Sequence, residues 1–158
     1  MKNQKIGFVG LGRMGGNMAR CLNDKGYKVT ALYDINENVA TELAQEIDAT
    51  AYQTLAEVTA HADIILTVVT NDAAMDAIFF GEDNLLTGAK GRTFINCATL
   101  TPALHGKLEA NAAQVGAKCL EACMASSIPQ ARKGELFLMV GGDETEFKAN
   151  KALLDDLS

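Results

Sequence analysis

Short apolar runs of strand length alternate with segments of helical period along the whole chain. Lys5–Val9 (KIGFV) predicts a first strand, and apolar residues at every fourth position from Met14 to Leu22 predict a helix after it. Tyr27–Tyr33 predicts a second strand, and Ile64–Val69 is a continuous apolar run, typical of a strand buried on both faces. Further strands are predicted at 49–52, 93–97, 117–124 and 135–140, with helical segments between most of them.

Capping residues mark several helix boundaries. Asn36 is a candidate N-cap, Thr54 and Glu57 have the spacing of a capping box, and Thr101-Pro102 places proline at the first helical position. The strand–helix alternation predicts an α/β fold, a doubly wound and mainly parallel sheet with helices on both faces. The last helical pattern reaches Ser158 without a glycine stop, so we expect 1–158 to be one domain of a longer protein.

Composition narrows the possible partners. The 158 residues are 48% hydrophobic and carry a net charge of −6, which is typical of one globular domain. Lysines and arginines form no run, so we expect neither nucleic acid nor a membrane surface as a partner. No segment resembles a signal peptide, and the four cysteines are scattered, which together favour a cytoplasmic location.

The cysteines and histidines are weak candidates for chemistry. Cys119 and Cys123 would face the same side of one strand, but His61 and His105 are distant in sequence, so no metal site is expected. His61 precedes a strand, at the edge opposite the one where ligands bind, and His105 occupies a helical position that could face solvent. We expect both histidines to be structural or exposed.

A glycine-rich motif follows the first strand and begins the first helix. Its sequence GLGRMG has the pattern G-x-G-x-x-G, which in this context is typical of a Rossmann dinucleotide site. Gly10 would permit the tight turn, Gly12 would let the backbone approach a pyrophosphate, and Gly15 would let the helix pack on the strand. The predicted cofactor-binding residues here are Gly10, Leu11, Gly12, Arg13, Met14 and Gly15.

Asp34 ends the second strand, 19 residues after Gly15. A carboxylate at this point accepts hydrogen bonds from both ribose hydroxyls of adenosine and repels a 2′-phosphate, which favours NAD over NADP. The alternatives are a structural glycine turn and an aspartate that only helps to begin the next helix. A methyltransferase that binds S-adenosylmethionine at the same turn also stays open.

Three further segments complete a family pattern. The opening Ile6–Gly15 matches a family signature, and Val69-Thr70-Asn71 falls where that family has Leu-Pro-x at a strand end. Ile95–Pro102 corresponds to Asp-x-Ser-Thr-x-x-Pro, with Thr99 retained. The chain thus resembles the β-hydroxyacid dehydrogenases, the family of 3-hydroxyisobutyrate dehydrogenase and tartronate semialdehyde reductase. The resemblance implies that Val69, Thr70 and Thr99 contact the cofactor.

The resemblance also extends to a substrate loop. Glu121–Leu136 lines up with the family's Asp-Ala-Pro-Val-Ser-Gly-Gly-x-x-x-Ala-x-x-Gly-x-Leu. Its Ser-Gly-Gly core is replaced here by Ala125, Ser126 and Ser127, which the resemblance implies contact the substrate. The alternative is a loop that merely connects two strands.

The family implies an NAD-dependent hydride transfer to or from a small 3-hydroxy acid, in a homo-oligomer. Its catalytic lysine lies in a Gly-x-x-x-Lys-x-x-Asn segment of an all-helical C-terminal domain, and that segment does not occur in these 158 residues. We therefore predict no catalytic residue here and negligible turnover by this chain alone. A non-catalytic module that senses NAD(H) is the alternative function.

Overall fold

The computed structural model of the protein describes residues 2–158, which form a seven-stranded sheet with helices on both faces. The strand order is β3-β2-β1-β4-β5-β6-β7, with only β7 antiparallel to its neighbour. The predicted α/β fold class is confirmed. The elements are β1 Lys5–Val9, α1 Arg13–Asp24, β2 Lys28–Tyr33, α2 Glu37–Ile47, β3 Thr50–Ala51, α3 Leu55–His61, β4 Ile64–Thr67, α4 Asp72–Phe80, β5 Thr93–Asn96, α5 Pro102–Gln114, β6 Lys118–Met124, α6 Ile128–Lys133, β7 Leu138–Gly142 and α7 Glu144–Leu157.

Two hydrophobic cores lie on the two faces of the sheet. Side chains alternate along β1, so Ile6 and Phe8 join the core beneath α1, α2, α6 and α7, whereas Val9 joins the core beneath α3, α4 and α5. Phe79 of α4 and Phe94 of β5 meet edge to face in the second core, with ring centroids 5.2 Å apart. Burial on both faces explains why the central strands are continuously apolar.

The predicted caps are present. Asn36 accepts a hydrogen bond from the Asn38 amide, and Thr54 and Glu57 form the reciprocal capping box at the start of α3. Thr101 caps α5 with Pro102 in the first turn, as its sequence indicates. These local signals fix where the helices begin and therefore the direction in which each connecting loop faces.

One helix was not predicted, and several strand ends differ from the sequence prediction; β4, for example, ends at Thr67 and not at Val69. Residues 128–133, expected to be part of a loop, form the short helix α6, and the last strand begins at Leu138 instead of Glu135. The Gln130 side chain accepts hydrogen bonds from the Ser127 amide and hydroxyl, and Gly134 ends the helix with φ = +73°. A helix of two turns or fewer has too few residues to show an apolar period in the sequence. The spacing of Ser127 and Gln130, however, matches a capping box.

The order of the strands determines where a ligand can bind. β1 lies between β2 and β4, so the connections after β1 and β4 leave toward opposite faces of the sheet. A crevice forms between such connections at the carboxyl ends of the strands. The loops that follow β1, β2, β4, β5 and β6 all reach this edge, which gathers the predicted site residues in one place.

The C-terminal helix is attached to the connection between α1 and β2 through partly buried polar contacts. The Tyr27 hydroxyl donates to Asp156 Oδ2 at 2.7 Å, and Lys25 Nζ donates to the Asp156 carbonyl. Tyr27, which lies directly before β2, is almost fully buried. Burial and the hydrogen bond to Asp156 raise the pKa of the Tyr27 phenol, so the folded protein favours its neutral form.

We expect Tyr27→Phe to lower the free energy of unfolding by about 1 kcal/mol at neutral pH, since one buried hydrogen bond is lost. A phenol whose pKa is raised by folding stabilises the protein below its ordinary pKa of about 10 and loses that contribution as pH rises further. The difference between wild type and variant should therefore narrow above about pH 10. Urea unfolding of the wild type and the variant at several pH values measures this difference in the free energy of unfolding.

Tyr52→Phe is the matched control, because the Tyr52 ring stacks on His61 and its hydroxyl has no hydrogen bond among residues 2–158. An equal loss in both variants, or a difference that grows with pH, would show that the Tyr27–Asp156 contact does not stabilise the fold.

Candidate cofactor and substrate site

The glycine motif forms a turn in which backbone approaches backbone. Gly10 has φ = +90°, and a Cβ there would lie 2.2 Å from the Val68 carbonyl oxygen. A Cβ at Gly15 would lie 2.0 Å from the Gly10 carbonyl oxygen. Both positions exclude any side chain, which explains two of the three motif glycines by packing alone.

Gly12 is required for a different reason. A Cβ at this residue would meet no atom within 4 Å, and its φ of −63° is open to any residue. Gly12 is the N-cap of α1, no side chain caps this helix, and its first turn holds no acidic residue. The open space therefore adjoins helix amides that are available to an anion. This geometry fits a pyrophosphate, which a side chain at Gly12 would displace.

The Asp34 carboxylate is fixed beside this turn. Its Oδ2 accepts the Leu11 amide at 2.7 Å, and its Oδ1 accepts the Asn36 amide at 2.8 Å. The carboxylate thus joins the glycine turn to the start of α2, and each oxygen keeps a lone pair for a further donor. Its position does not depend on a ligand. Asn36 is the N-cap of α2, so Asp34 does not cap the helix itself, although its hydrogen bond to the Asn36 amide supports the start of α2.

An apolar cavity of about 360 Å³ extends from Asp34 between the ends of the strands and α4. Ile35, 93% exposed, stands at its rim, and Ala74 and Ile78 of α4 line one wall. A cavity of this size and character suits a flat, weakly polar group such as a nucleoside base. The sequence reasoning missed the α4 wall, because an apolar pair spaced by four residues equally predicts a buried helix face.

The three residues assigned to the cofactor by resemblance lie at the same edge. Val69 borders the apolar cavity, and Thr70 and Thr99 are exposed at the ends of neighbouring strands. The Thr101 amide and hydroxyl both donate to the Asp72 carboxylate, the hydroxyl at 2.7 Å. This contact holds the loop after β5 against the start of α4.

The predicted substrate residues follow β6 at this edge as well. Ala125 and Ser127 are exposed, and Ser126 is partly buried. Ser126 Oγ accepts the Phe137 amide at 2.6 Å, while the Ser127 hydroxyl donates to Gln130. Both hydroxyls therefore already support the loop, although Ser126 can still donate its own proton.

The histidines occupy two different environments. His61 is exposed at the end of α3, as expected, and its ring stacks on Tyr52 with centroids 4.6 Å apart. The expectation that His105 could face solvent is wrong: its side chain is only 12% exposed and lies beside Glu121. Distance in sequence concealed this contact, because α5 folds back over β6.

Two of the thiols, Cys97 and Cys119, lie in surroundings that favour the protonated form. Burial raises the pKa of Cys97 and of Cys119 to about 12 each. Asn96 Nδ2 also donates to Cys119 Sγ, and Asn96 in turn accepts from the Thr67 hydroxyl at 2.6 Å. Both thiols are therefore protonated at neutral pH, and they behave as small buried groups.

Comparisons with known proteins identify the family of this domain. The family model described as the NAD binding domain of 6-phosphogluconate dehydrogenase matches residues 5–158. Mitochondrial 3-hydroxyisobutyrate dehydrogenase of Drosophila melanogaster is 35% identical over 153 residues, which are 96% of this chain and 46% of that protein. The 2-hydroxy-3-oxopropionate reductase of Escherichia coli is 32% identical over 154 residues, which are 96% of this chain and 51% of that protein. The chain thus spans about half the length of the curated relatives it matches.

Solved structures show the same fold. The 3-hydroxyisobutyrate dehydrogenase of Mycobacterium tuberculosis, solved with L-serine, has a TM-score of 0.89 at 24% identity and covers 98% of this chain and 52% of its own. The 3-hydroxyisobutyrate dehydrogenase of Salmonella typhimurium has a TM-score of 0.86 at 25% identity, and the match covers 98% of this chain and 54% of that protein. The resemblance found in the sequence is confirmed, and the chain belongs to the family of the NAD binding domain of 6-phosphogluconate dehydrogenase, among the β-hydroxyacid dehydrogenases.

Proposed function

We propose that this chain is the cofactor domain of an NAD-dependent 3-hydroxyacid dehydrogenase. The observation that carries the proposal is the Asp34 carboxylate, fixed by two backbone amides between the open space at Gly12 and the apolar cavity. A dinucleotide needs an anion site, a ribose acceptor and an adenine cavity in this order. When bound, the nicotinamide ring supplies the hydride exchange, and this chain binds and orients it.

Charge near Asp34 favours NAD over NADP. A 2′-phosphate would lie against the Asp34 carboxylate, and the following Ile35, Asn36 and Glu37 provide no cation to hold it. Among proteins of the same fold, one imine reductase of Myxococcus stipitatus was solved with NADP⁺ and a variant with NAD⁺. Cofactor choice is therefore not fixed by the fold, and here it depends on the residues after β2.

The substrate class rests on the relatives and on the loop after β6. The relatives are named for small hydroxy or oxo acids, and Ala125, Ser126 and Ser127 occupy the end of β6 beside the cofactor edge. Contacts within the loop limit which donors a substrate carboxylate can use, because the Ala125 amide already donates to the Phe137 carbonyl and the Ser127 amide to Gln130 Oε1. The Ser126 hydroxyl accepts from the Phe137 amide and can still donate its proton. We propose a small 3-hydroxy acid whose carboxylate accepts a hydrogen bond from Ser126.

The intact enzyme needs more than these residues. Phe137 and Met139 are 64% and 50% exposed next to the substrate loop, which is typical of a surface that contacts another part of a protein. We propose that the helical domain of the family covers this surface, supplies the lysine that acts as acid and base, and forms the homo-oligomer.

A cytoplasmic location stays a prediction, since several curated relatives are mitochondrial. Within residues 2–158, none of the helices combines the length and the apolar character that a membrane crossing requires.

Gly12→Ala should weaken NADH binding and Gly15→Ala should lower folding stability, so the two variants separate the two roles of the glycine motif. At Gly12 a methyl group meets no protein atom, so the thermal unfolding midpoint should hardly change, while NADH affinity falls at least about tenfold. At Gly15 the methyl group would overlap the Gly10 carbonyl, and overpacking should cost about 2 kcal/mol or more of folding stability. Calorimetric NADH titration and thermal unfolding measure the two effects. Unchanged NADH affinity in a folded Gly12→Ala variant would contradict the pyrophosphate site.

Asp34→Ala should weaken NADH binding by about 1–3 kcal/mol, because ribose hydroxyls and two backbone amides lose their acceptor. Asp34→Asn keeps an acceptor but removes the charge, so it should narrow the preference for NADH over NADPH. Asp48→Asn is the control, since Asp48 is an exposed residue at the end of α2 with φ = 56°, which asparagine tolerates. Tighter binding of NADPH than NADH by the wild type, or binding of S-adenosylmethionine alone, would contradict the assignment.

Fusion of this chain to the helical half of a 3-hydroxyisobutyrate dehydrogenase should create activity that the chain alone lacks. We expect negligible oxidation of 3-hydroxyisobutyrate by residues 1–158 and measurable NADH production by the fusion, abolished when its transferred lysine is replaced by alanine. Absorbance of NADH follows the reaction. A fusion that folds and binds NADH but stays inactive on a panel of short 3-hydroxy acids would favour the NAD(H)-sensing module.

A further inference from the structure

A cluster of three different metal-binding side chains lies between α5 and β6. His105 Nε2 is 3.5 Å from Glu121 Oε1, and Cys123 Sγ is 3.7 Å from the same carboxylate oxygen. The three ligand atoms all lie within 4.8 Å of one another. Glu121 and Cys123 lie at the start of the segment that aligns with the substrate loop, but none of the three residues is among the predicted cofactor or substrate contacts. The cluster therefore calls for a separate explanation.

The topology explains why these residues meet. Alternation along β6 places Cys119, Glu121 and Cys123 on one face, away from Leu120 and Ala122, which join the opposite core. Helix α5 packs over this face and brings His105 above the strand. Glu121 and Cys123 therefore come from a rigid strand and His105 from a capped helix, which are suitable supports for a metal site.

Space remains on the side of β7. Gly141 is paired with Glu121 across the two strands, and a Cβ there would lie 3.7 Å from the Glu121 carboxylate. A cavity of about 50 Å³ adjoins the cluster, lined by His105, Glu109, Cys119, Glu121, Gly141 and Gly142. This volume is sufficient for a water molecule as an additional ligand.

His105 Nε2 is the least satisfied polar atom of the cluster. It is buried, and within the part of the chain that the structure describes it has no hydrogen-bond partner. Burying such a nitrogen without a partner costs free energy, so native proteins seldom do it. The atom lies 3.5 Å from Glu121 Oε1 without forming a hydrogen bond, a separation that fits two ligands of one ion.

We propose that His105 Nε2, a Glu121 carboxylate oxygen and the Cys123 thiolate bind one Zn²⁺ ion, with water in the fourth position. Ideal tetrahedral coordination with Zn–N and Zn–O bonds of about 2.0 Å and a Zn–S bond of about 2.3 Å separates the ligand atoms by about 3.3–3.6 Å. The His105–Glu121 and Cys123–Glu121 distances, 3.5 Å and 3.7 Å, are close to these separations, and the third pair of ligand atoms lies within 4.8 Å.

The donor set selects the ion. Thiolate and imidazole favour zinc over magnesium or calcium, which prefer oxygen ligands. In the metal-free protein, burial and the nearby Glu121 carboxylate raise the pKa of Cys123, and its thiol donates to the Ala98 carbonyl at 3.4 Å. Binding therefore replaces this proton: the S–H bond breaks, the Zn–S bond forms and one proton is released. The Glu109 and Glu121 carboxylates at the cavity favour a cation.

Titration of the reduced, chelator-treated chain with Zn²⁺ tests the site directly. We expect one Zn²⁺ per chain by calorimetry and a higher thermal midpoint when zinc is present, since the ion binds the folded state. Co²⁺ in place of Zn²⁺ should give the near-ultraviolet absorption of a thiolate-bound ion. His105→Gln and Cys123→Ser should each weaken Zn²⁺ binding at least about tenfold. His105→Gln also covers the case in which the buried Cys123 variant does not fold.

Two matched controls define the ligands. Cys21→Ser changes a buried cysteine on α1, and His61→Gln changes the histidine on α3. Both should bind Zn²⁺ like the wild type. No binding by the wild type, binding unaffected by His105→Gln, or equal losses in Cys21→Ser and Cys123→Ser would overturn the proposal. NADH binding is independent of these ligands, so failure here leaves the proposed function intact.

Discussion

The close approach of α1 to the end of β1 is the constraint on which the rest of the site depends. It is possible only because Gly10 and Gly15 leave no side chain between the turn, the helix and the Val68 carbonyl. The approach places the amino end of α1 at the point where the strand connections diverge. Asp34 then joins this turn to the end of β2 through the Leu11 amide, so the glycine turn and the Asp34 carboxylate are fixed relative to each other.

The other loops at this edge are organised around that unit. α4 supplies the wall of the apolar cavity, and the Thr101–Asp72 contact fixes the next loop beside it. The loop after β6 is held by the hydrogen bonds of Ser126 and Ser127, and the Ser126 hydroxyl keeps a proton that it can donate. The glycine turn is thus built by close packing, whereas the loop after β6 is held by polar side chains.

Sequence reasoning was most successful where a residue type has few physical alternatives. The glycine spacing, the carboxylate at Asp34 and the Thr54 cap each have a local cause, and the structure places each as its pattern predicts. The sequence did not predict α6, because a helix of two turns is too short to show a recognisable apolar face. The cluster at His105 was missed because it depends on how α5 lies over β6, which no local pattern encodes.

The most direct test of the account is a crystal structure of the chain with NADH. The account predicts the diphosphate at the amino end of α1 beside Gly12, both adenosine ribose hydroxyls on the Asp34 carboxylate, and adenine in the cavity between Ile35 and α4. NADH bound elsewhere on the domain, or a crevice that stays empty at saturating NADH, would contradict it.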